Sequence, residues 1–208
     1  MLNCENLYNC TINPKINEIT LDLLRLYYEQ YLMPFTYKYN VIDEDKNSFD
    51  IELRFDKENF CHLLGIETIV KRNINSKMLW NYKGVKGWNK IRTGKLSFTE
   101  LKEINKSLFK SAKSKFVFFY LIPKIIESPK AIKYDKSKVI GGTNIEGKII
   151  FYDKQQNAYV HIFLEYDEEK KYHIARSFCI EKITDNNTGT KFIDGQTQIT
   201  VTKIENNK

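Results

Sequence analysis

The side chains best suited to moving protons near neutral pH are His62, His161 and His173, since an unperturbed imidazole titrates at about pH 6.5. General acid–base catalysis is the chemistry they could do. His62 follows Phe60 by two residues, about 200° around a helix, so it points away from the stripe made by Phe60, Leu63 and Leu64. His161 and His173 fall in strand-like runs, AYVHIFLEY and KYHIARSF. A lone histidine on a strand is more often a satisfied polar residue than a catalyst. If the two runs pair across DEEK with Tyr166 opposite Lys171, His161 faces Arg176, and Ser177 shares the other face with His173.

Other chemistries lose support. The chain has no P-loop, no G-x-G-x-x-G, no G-x-S-x-G and no H-E-x-x-H. Closely spaced carboxylates occur at Asp43-Glu44-Asp45, within turn-like DEDKNS, where a solvated turn is a better reading than a two-metal site. Cys4, Cys10, Cys61 and Cys179 lack C-x-x-C spacing, and Cys61-His62 has no second nearby pair to complete a zinc set. The expectation is thiols rather than disulfides, no metal and no cofactor.

Charge is distributed unevenly. Residues 71–138 hold 18 Lys and Arg against four acids, a local +14 in a chain of net +7, so the other 140 residues are net −7. A polyanion is the natural partner, because neutralising phosphates releases condensed counterions whatever the base sequence. Within MLWNYKGVKGWNKIRTGK, aromatic rings alternate with cations, a pattern suited to base stacking. Lys71, Arg72, Lys83, Lys86, Trp88, Lys90 and Arg92 are the candidate nucleic-acid contacts. The competing reading is solubilising charge in a Lys-, Asn- and Ile-rich chain. No strongly amphipathic basic helix accompanies the lysines, which argues against a membrane surface.

The elements that must position these residues follow from periodicity. Asn13-Pro14 opens a helix over 14–33, and Tyr37, Tyr39 and Val41, then Phe49, Ile51, Leu53 and Phe55, alternate as a hairpin. Asp56 caps a short helix that Gly65 ends. Residues 66–96 read as a long irregular loop with glycine punctuation. Ser97 and Glu100 have capping-box spacing ahead of Leu101, Ile104 and Leu108, and a further helix spans about 115–126. From Lys130 onward AIKY, KIIFYD, AYVHIFLEY, KYHIARSFCIEK, TKFI and TQITVTKI read as an antiparallel meander. The fold class is α+β, with N-terminal helices and a β-hairpin packed on a C-terminal antiparallel sheet.

The 208-residue chain is 42% hydrophobic with only 9 Gly and 4 Pro, which excludes a disordered or fibrous protein. Its longest apolar run, FVFFYLI, is far short of the about 20 residues a spanning helix needs. MLNCENLYNC has neither the basic nor the apolar region of a secretory signal. A cytoplasmic protein without membrane contact is expected.

The stretch FDIELRFDKENFCHLLGI, with Glu-Asn-Phe-x-His-Leu-x-Gly-Ile after a strand ending in Phe-Asp, resembles the opening of the phage and mobile-element branch of the barnase, EndoU, colicin and RelE-like (BECR) nucleases. Arg176-Ser177-Phe178 in the late sheet is similar too. The resemblance covers about residues 48–205, and implies residues 1–47 as a helical N-terminal extension and 48–208 as a BECR-like α+β nuclease domain. It implies a metal-independent endoribonuclease in which the ribose 2′-hydroxyl attacks the adjacent phosphate. His62 would be acid or base, Arg176 a phosphate clamp and Ser177 a hydrogen-bond donor, with His161, His173 or Lys71 as the second proton-transfer group. RNA is the expected partner, and a host or phage protein a further one. The alternative is a non-catalytic RNA- or protein-binding phage inhibitor of a host defence complex.

Overall fold

The computed structural model describes residues 1–207. It comprises two compact units, one of Met1–Pro34 with Phe55–Leu121, the other of Phe35–Arg54 with the chain from Ile122 on. The first is helical: α1 (Cys4–Tyr8), α2 (Leu21–Tyr31), α3 (Lys57–Leu63), α4 (Ile66–Val70), α5 (Ser76–Leu79), α6 (Gly84–Arg92), α7 (Phe98–Ile104) and α8 (Lys106–Phe118). The second holds β1 (Thr36–Ile42), β2 (Ser48–Arg54), α9 (Ile122–Glu127), β3 (Lys130–Lys133), β4 (Ile149–Gln155), β5 (Ala158–Asp167), β6 (Tyr172–Lys182) and β7 (Thr197–Asn207). Among the described residues no helix is long and apolar enough to cross a membrane.

The helical unit is organised around Tyr28 on α2. Its ring lies 5.2 Å from Phe60, 5.9 Å from Phe55 and 6.1 Å from both Trp88 and Phe119. Its hydroxyl donates to the Asp56 carbonyl at 2.9 Å, so the buried ring carries no unpaired donor. The helix expected from residue 14 starts at Leu21. Glu18 closes a turn instead, its N–H donating to the Lys15 carbonyl and its carboxylate accepting from the Lys15 N–H, before Thr20 caps the true helix. Ser97 and Glu100 do form the capping box of α7.

Residues 66–96 are not a loop. α4, α5, a 3₁₀ turn at Trp80–Tyr82 and α6 occupy them. Each of these helices runs for only four to nine residues, so the apolar pattern restarts repeatedly, while Gly87 marks a close approach rather than a break. A β-carbon there would lie 2.6 Å from the Cys61 sulfur and 2.7 Å from the Tyr82 carbonyl oxygen. Gly87→Ala is therefore expected to destabilise the protein by about 1–3 kcal/mol, read as a lower denaturant midpoint. An unchanged midpoint would show that α6 can back away from α3.

In the second unit the sheet closes as a seven-stranded barrel of order β1-β2-β6-β5-β4-β3-β7. β4, β5 and β6 form the expected meander. The hairpin is not a separate layer packed on that sheet: β1 pairs with β7, and β2 joins β6 in parallel at Leu53↔His173 and Arg54↔Ile174. Closure gives β1 and β7 partners that a simple meander would leave as open edges. Residues 47 and 48 fall at the β1–β2 turn, where the Asp43 carboxylate accepts from the Asp45 and Asn47 N–H groups, so the acidic cluster is turn chemistry. TKFI is no strand. Its Phe192 is buried beside Ile132, Tyr134, Ile150, Tyr152 and Phe163.

Candidate active site

A cleft of about 740 Å³ opens on the barrel unit, lined by His173 together with Lys133, Lys136, Lys138 and Lys148. His173 is the second residue of β6 and pairs with Tyr166 of β5, whose ring meets the imidazole edge-on at 5.3 Å. Its Nδ1 is buried and makes no hydrogen bond. Burial pushes the imidazole below its ordinary range, opposed by a contact with the Glu52 backbone. His173 is thus held neutral at a pH where a free imidazole begins to charge.

Charges of both signs line the cleft wall, where Asp43, Glu44, Asp135 and Glu146 stand with the four lysines. Lys136 is paired with Glu146, and Lys133 lies 3.8 Å from Glu44. Lys138 and Lys148 make no ion pair among the described residues. Glu146 is held below the usual carboxylate range through its bond to Lys136, with smaller help from Arg176 and Lys148. Two ammonium groups without a close ion pair, near the Asp135 and Glu146 carboxylates and beside the imidazole, suit a site for anionic substrate and proton transfer.

Arg176 is the extra residue of a β-bulge. Phe163 pairs with Ser177 and Leu164 with Ala175, leaving Arg176 without an opposite number. Its side chain is 48% exposed, with Nε 3.3 Å from Glu165. Sequence reasoning expected His161 opposite Arg176, but His161 pairs with Cys179. The true turn closes Asp167 against Tyr172, with the Asp167 carboxylate accepting from the Glu169 and Lys170 N–H groups, and the bulge adds a further shift.

His161 cannot serve as acid or base toward a substrate. It is 0% exposed and lies within 6.5 Å of the rings of Tyr152, Tyr159, Phe163 and Phe192. Burial drives its pKa down to about 4, the Cys179 backbone offsetting only part of this. Both faces of β5 are covered along most of its length, so strand alternation exposes neither.

His62 belongs to the helical unit. As its spacing on α3 suggests, it points off the apolar stripe and is 43% exposed. Gly65, at φ +70°, then reverses the chain into α4 and returns Glu67 to the same place. One carboxylate oxygen of Glu67 is 3.6 Å from His62 Nδ1, the other 3.2 Å from Lys83 Nζ. Contact with His62, then with Lys83, holds the Glu67 carboxyl below its usual range. Such a carboxylate orients the imidazole through its Nδ1 side. Glu67 is missing from the sequence-derived candidates; the left-handed glycine between residues 62 and 67 was the signal for it.

The other candidates also divide by unit. Lys71, Arg72, Lys83, Lys86, Trp88, Lys90 and Arg92 lie in the helical unit with His62, and Arg176 and Ser177 in the barrel unit with His173. Trp88 offers no stacking face: it is 2% exposed, between Tyr28 and Phe60, with the guanidinium of Arg25 over its ring. Its i, i+3 partner Ile91 is buried as well, so this side of α6 is core. Trp80 is the open ring, 54% exposed, and Lys86 Nζ sits 2.9 Å from its centroid. Lys90 similarly covers Tyr82 at 4.2 Å.

A family model described as phage-Barnase-EndoU-ColicinE5/D-RelE like nuclease4 matches residues 25–208, from the middle of α2 through the barrel. No curated protein and no solved structure matches the chain.

Proposed function

Because the chain belongs to the phage-Barnase-EndoU-ColicinE5/D-RelE like nuclease4 family, we propose that it is an endoribonuclease, of phage or mobile-element origin, that cleaves RNA by attack of the ribose 2′-hydroxyl on the adjacent phosphate. The observation that carries this reading is the barrel cleft, where the half-buried imidazole of His173 stands among four lysines and four carboxylates, so that acids, bases and cations share one wall. His173 is the base that takes the 2′ proton as the O2′–P bond forms. An ammonium, from Lys138 or Lys148, faces the charge that develops on the phosphate and protonates the 5′ oxygen as its bond to phosphorus breaks. Arg176 and Ser177, which do not line the cleft themselves, are the candidate phosphate clamp and hydroxyl donor to a non-bridging oxygen. The products are a 2′,3′-cyclic phosphate and a 5′-hydroxyl.

Assigned this way, each role is met by a side chain of this protein, and metal-independent cleavage is the reading to test. His62 is the competing base, supported by its Glu67 contact. Purified protein is expected to cut single-stranded RNA in EDTA and to leave cyclic-phosphate ends, resolved by mass spectrometry of the fragments. RNA that is bound but stays intact, with tRNA among the substrates, would overturn the catalytic reading in favour of a binding protein.

A further inference from the structure

A second cationic feature lies in the helical unit, within the basic segment 71–138 but apart from the candidate nucleic-acid contacts named above. Lys102 of α7 and Lys106, Lys110 and Lys113 of α8 line a shallow groove of about 250 Å³, together with Ile16, Asn17 and Phe109. No acid lines it, and none of the four lysines makes an ion pair among the described residues. Phe109 is 5% exposed and forms an apolar floor beneath the ammonium groups.

The local physics of α8 runs against this charge. The helix, KSLFKSAKSKFVF, has four lysines and no Asp or Glu, and Lys106 stands at its first position. A cation in the first turn opposes the helix dipole, and like charges at i, i+4, as in Lys106 and Lys110, repel. The sequence therefore accepts a less stable helix to keep one side cationic. A bound polyanion relieves both penalties at once. Along the helix the lysines span about 10 Å, a reach that suits successive phosphates of one extended strand.

We propose that this groove is an RNA backbone site, an exosite that holds single-stranded RNA through its phosphates without reading bases. The identity of the polyanion rests on the nuclease reading; the presence of an anion site does not. The test uses a labelled 20-nucleotide 2′-O-methyl oligoribonucleotide, which lacks the attacking hydroxyl, and follows anisotropy across a salt series for wild type and for K102Q/K106Q/K110Q/K113Q. Each phosphate contact in a single strand contributes about 0.7 to the salt slope, so the variant is expected to lose about 2 to 3 units of slope and at least tenfold in affinity at low salt. Cleavage of a dinucleotide, which has one bridging phosphate and no extended strand for the lysines to hold, is expected to stay unchanged, and that assay alone reports on the nuclease reading. The variant is also expected to melt no lower than wild type, because repulsion has been removed; K110Q/K113Q gives a milder second variant with half the effect. Unchanged slope and affinity would overturn the exosite, as would lost binding to anionic phosphatidylserine vesicles with oligonucleotide binding intact.

Discussion

His173→Ala is expected to slow cleavage by about 10²–10⁴-fold, the range that a positioned general base contributes. The substitution is structurally mild. It gives up the contact with the Glu52 backbone but orphans no side-chain partner, and the site lies open to the cleft. Circular dichroism should be unchanged. Because burial lowers the pKa of His173, its neutral form persists below the ordinary imidazole range, so the acidic limb of the pH–rate profile is expected below about pH 6.5. His62→Ala is the contrasting variant and is expected to stay within about threefold of wild type. Full activity in His173→Ala with loss in His62→Ala would move the base to His62 and sink the cleft assignment. Equal, small effects would point to a lysine-only mechanism.

The largest effect on stability is expected from His161 and pH. In the unfolded chain this imidazole takes up a proton as the pH falls through about 6.5; in the folded barrel it resists until about 4. The unfolded state therefore binds more protons between these values, so stability rises with pH across the window. The contribution is fully present above pH 6.5 and is lost progressively on acidification toward pH 4. A gap of this size corresponds to on the order of 3 kcal/mol. His161→Phe, a ring among rings, is expected to flatten that part of the profile and to be at least as stable at pH 7, since it removes two nitrogens that lack hydrogen bonds. Urea denaturation of both proteins from pH 7.5 to pH 4 checks this. Other acids also titrate in the window, so the difference between the two proteins is the informative quantity. Parallel profiles would mean that His161 is solvated in the native state.

Local chemistry was the legible part of this sequence. The Ser97–Glu100 capping box, the alternating hairpin and the off-stripe position of His62 each depend on residues within one or two turns, and each appears in the structure. The Glu-Asn-Phe-x-His-Leu-x-Gly-Ile stretch carried the family resemblance, which the family match over residues 25–208 supports. What escaped were features set by distant chain segments. Nothing local distinguishes Trp80 from Trp88, because burial of Trp88 depends on Tyr28 and Phe60 from other helices. A bulge at Arg176 has no residue signature, and a strand pairing guessed from a turn accumulates every such shift. Barrel closure depends on β1 meeting β7 across most of the chain, a pairing that alternation cannot announce.

That last pairing has a consequence for when the protein can act. Thr197 and Ile199 of β7 form part of the cleft wall beside His173. On a ribosome adding about 5–20 residues per second, β1 and β2 emerge many seconds before the strand that completes their barrel. Throughout that interval the half-made chain has the imidazole's eventual neighbours but no enclosure to put them in. On the proposed reading, a nuclease assembled in this order has no completed cleft until β7 has left the ribosome.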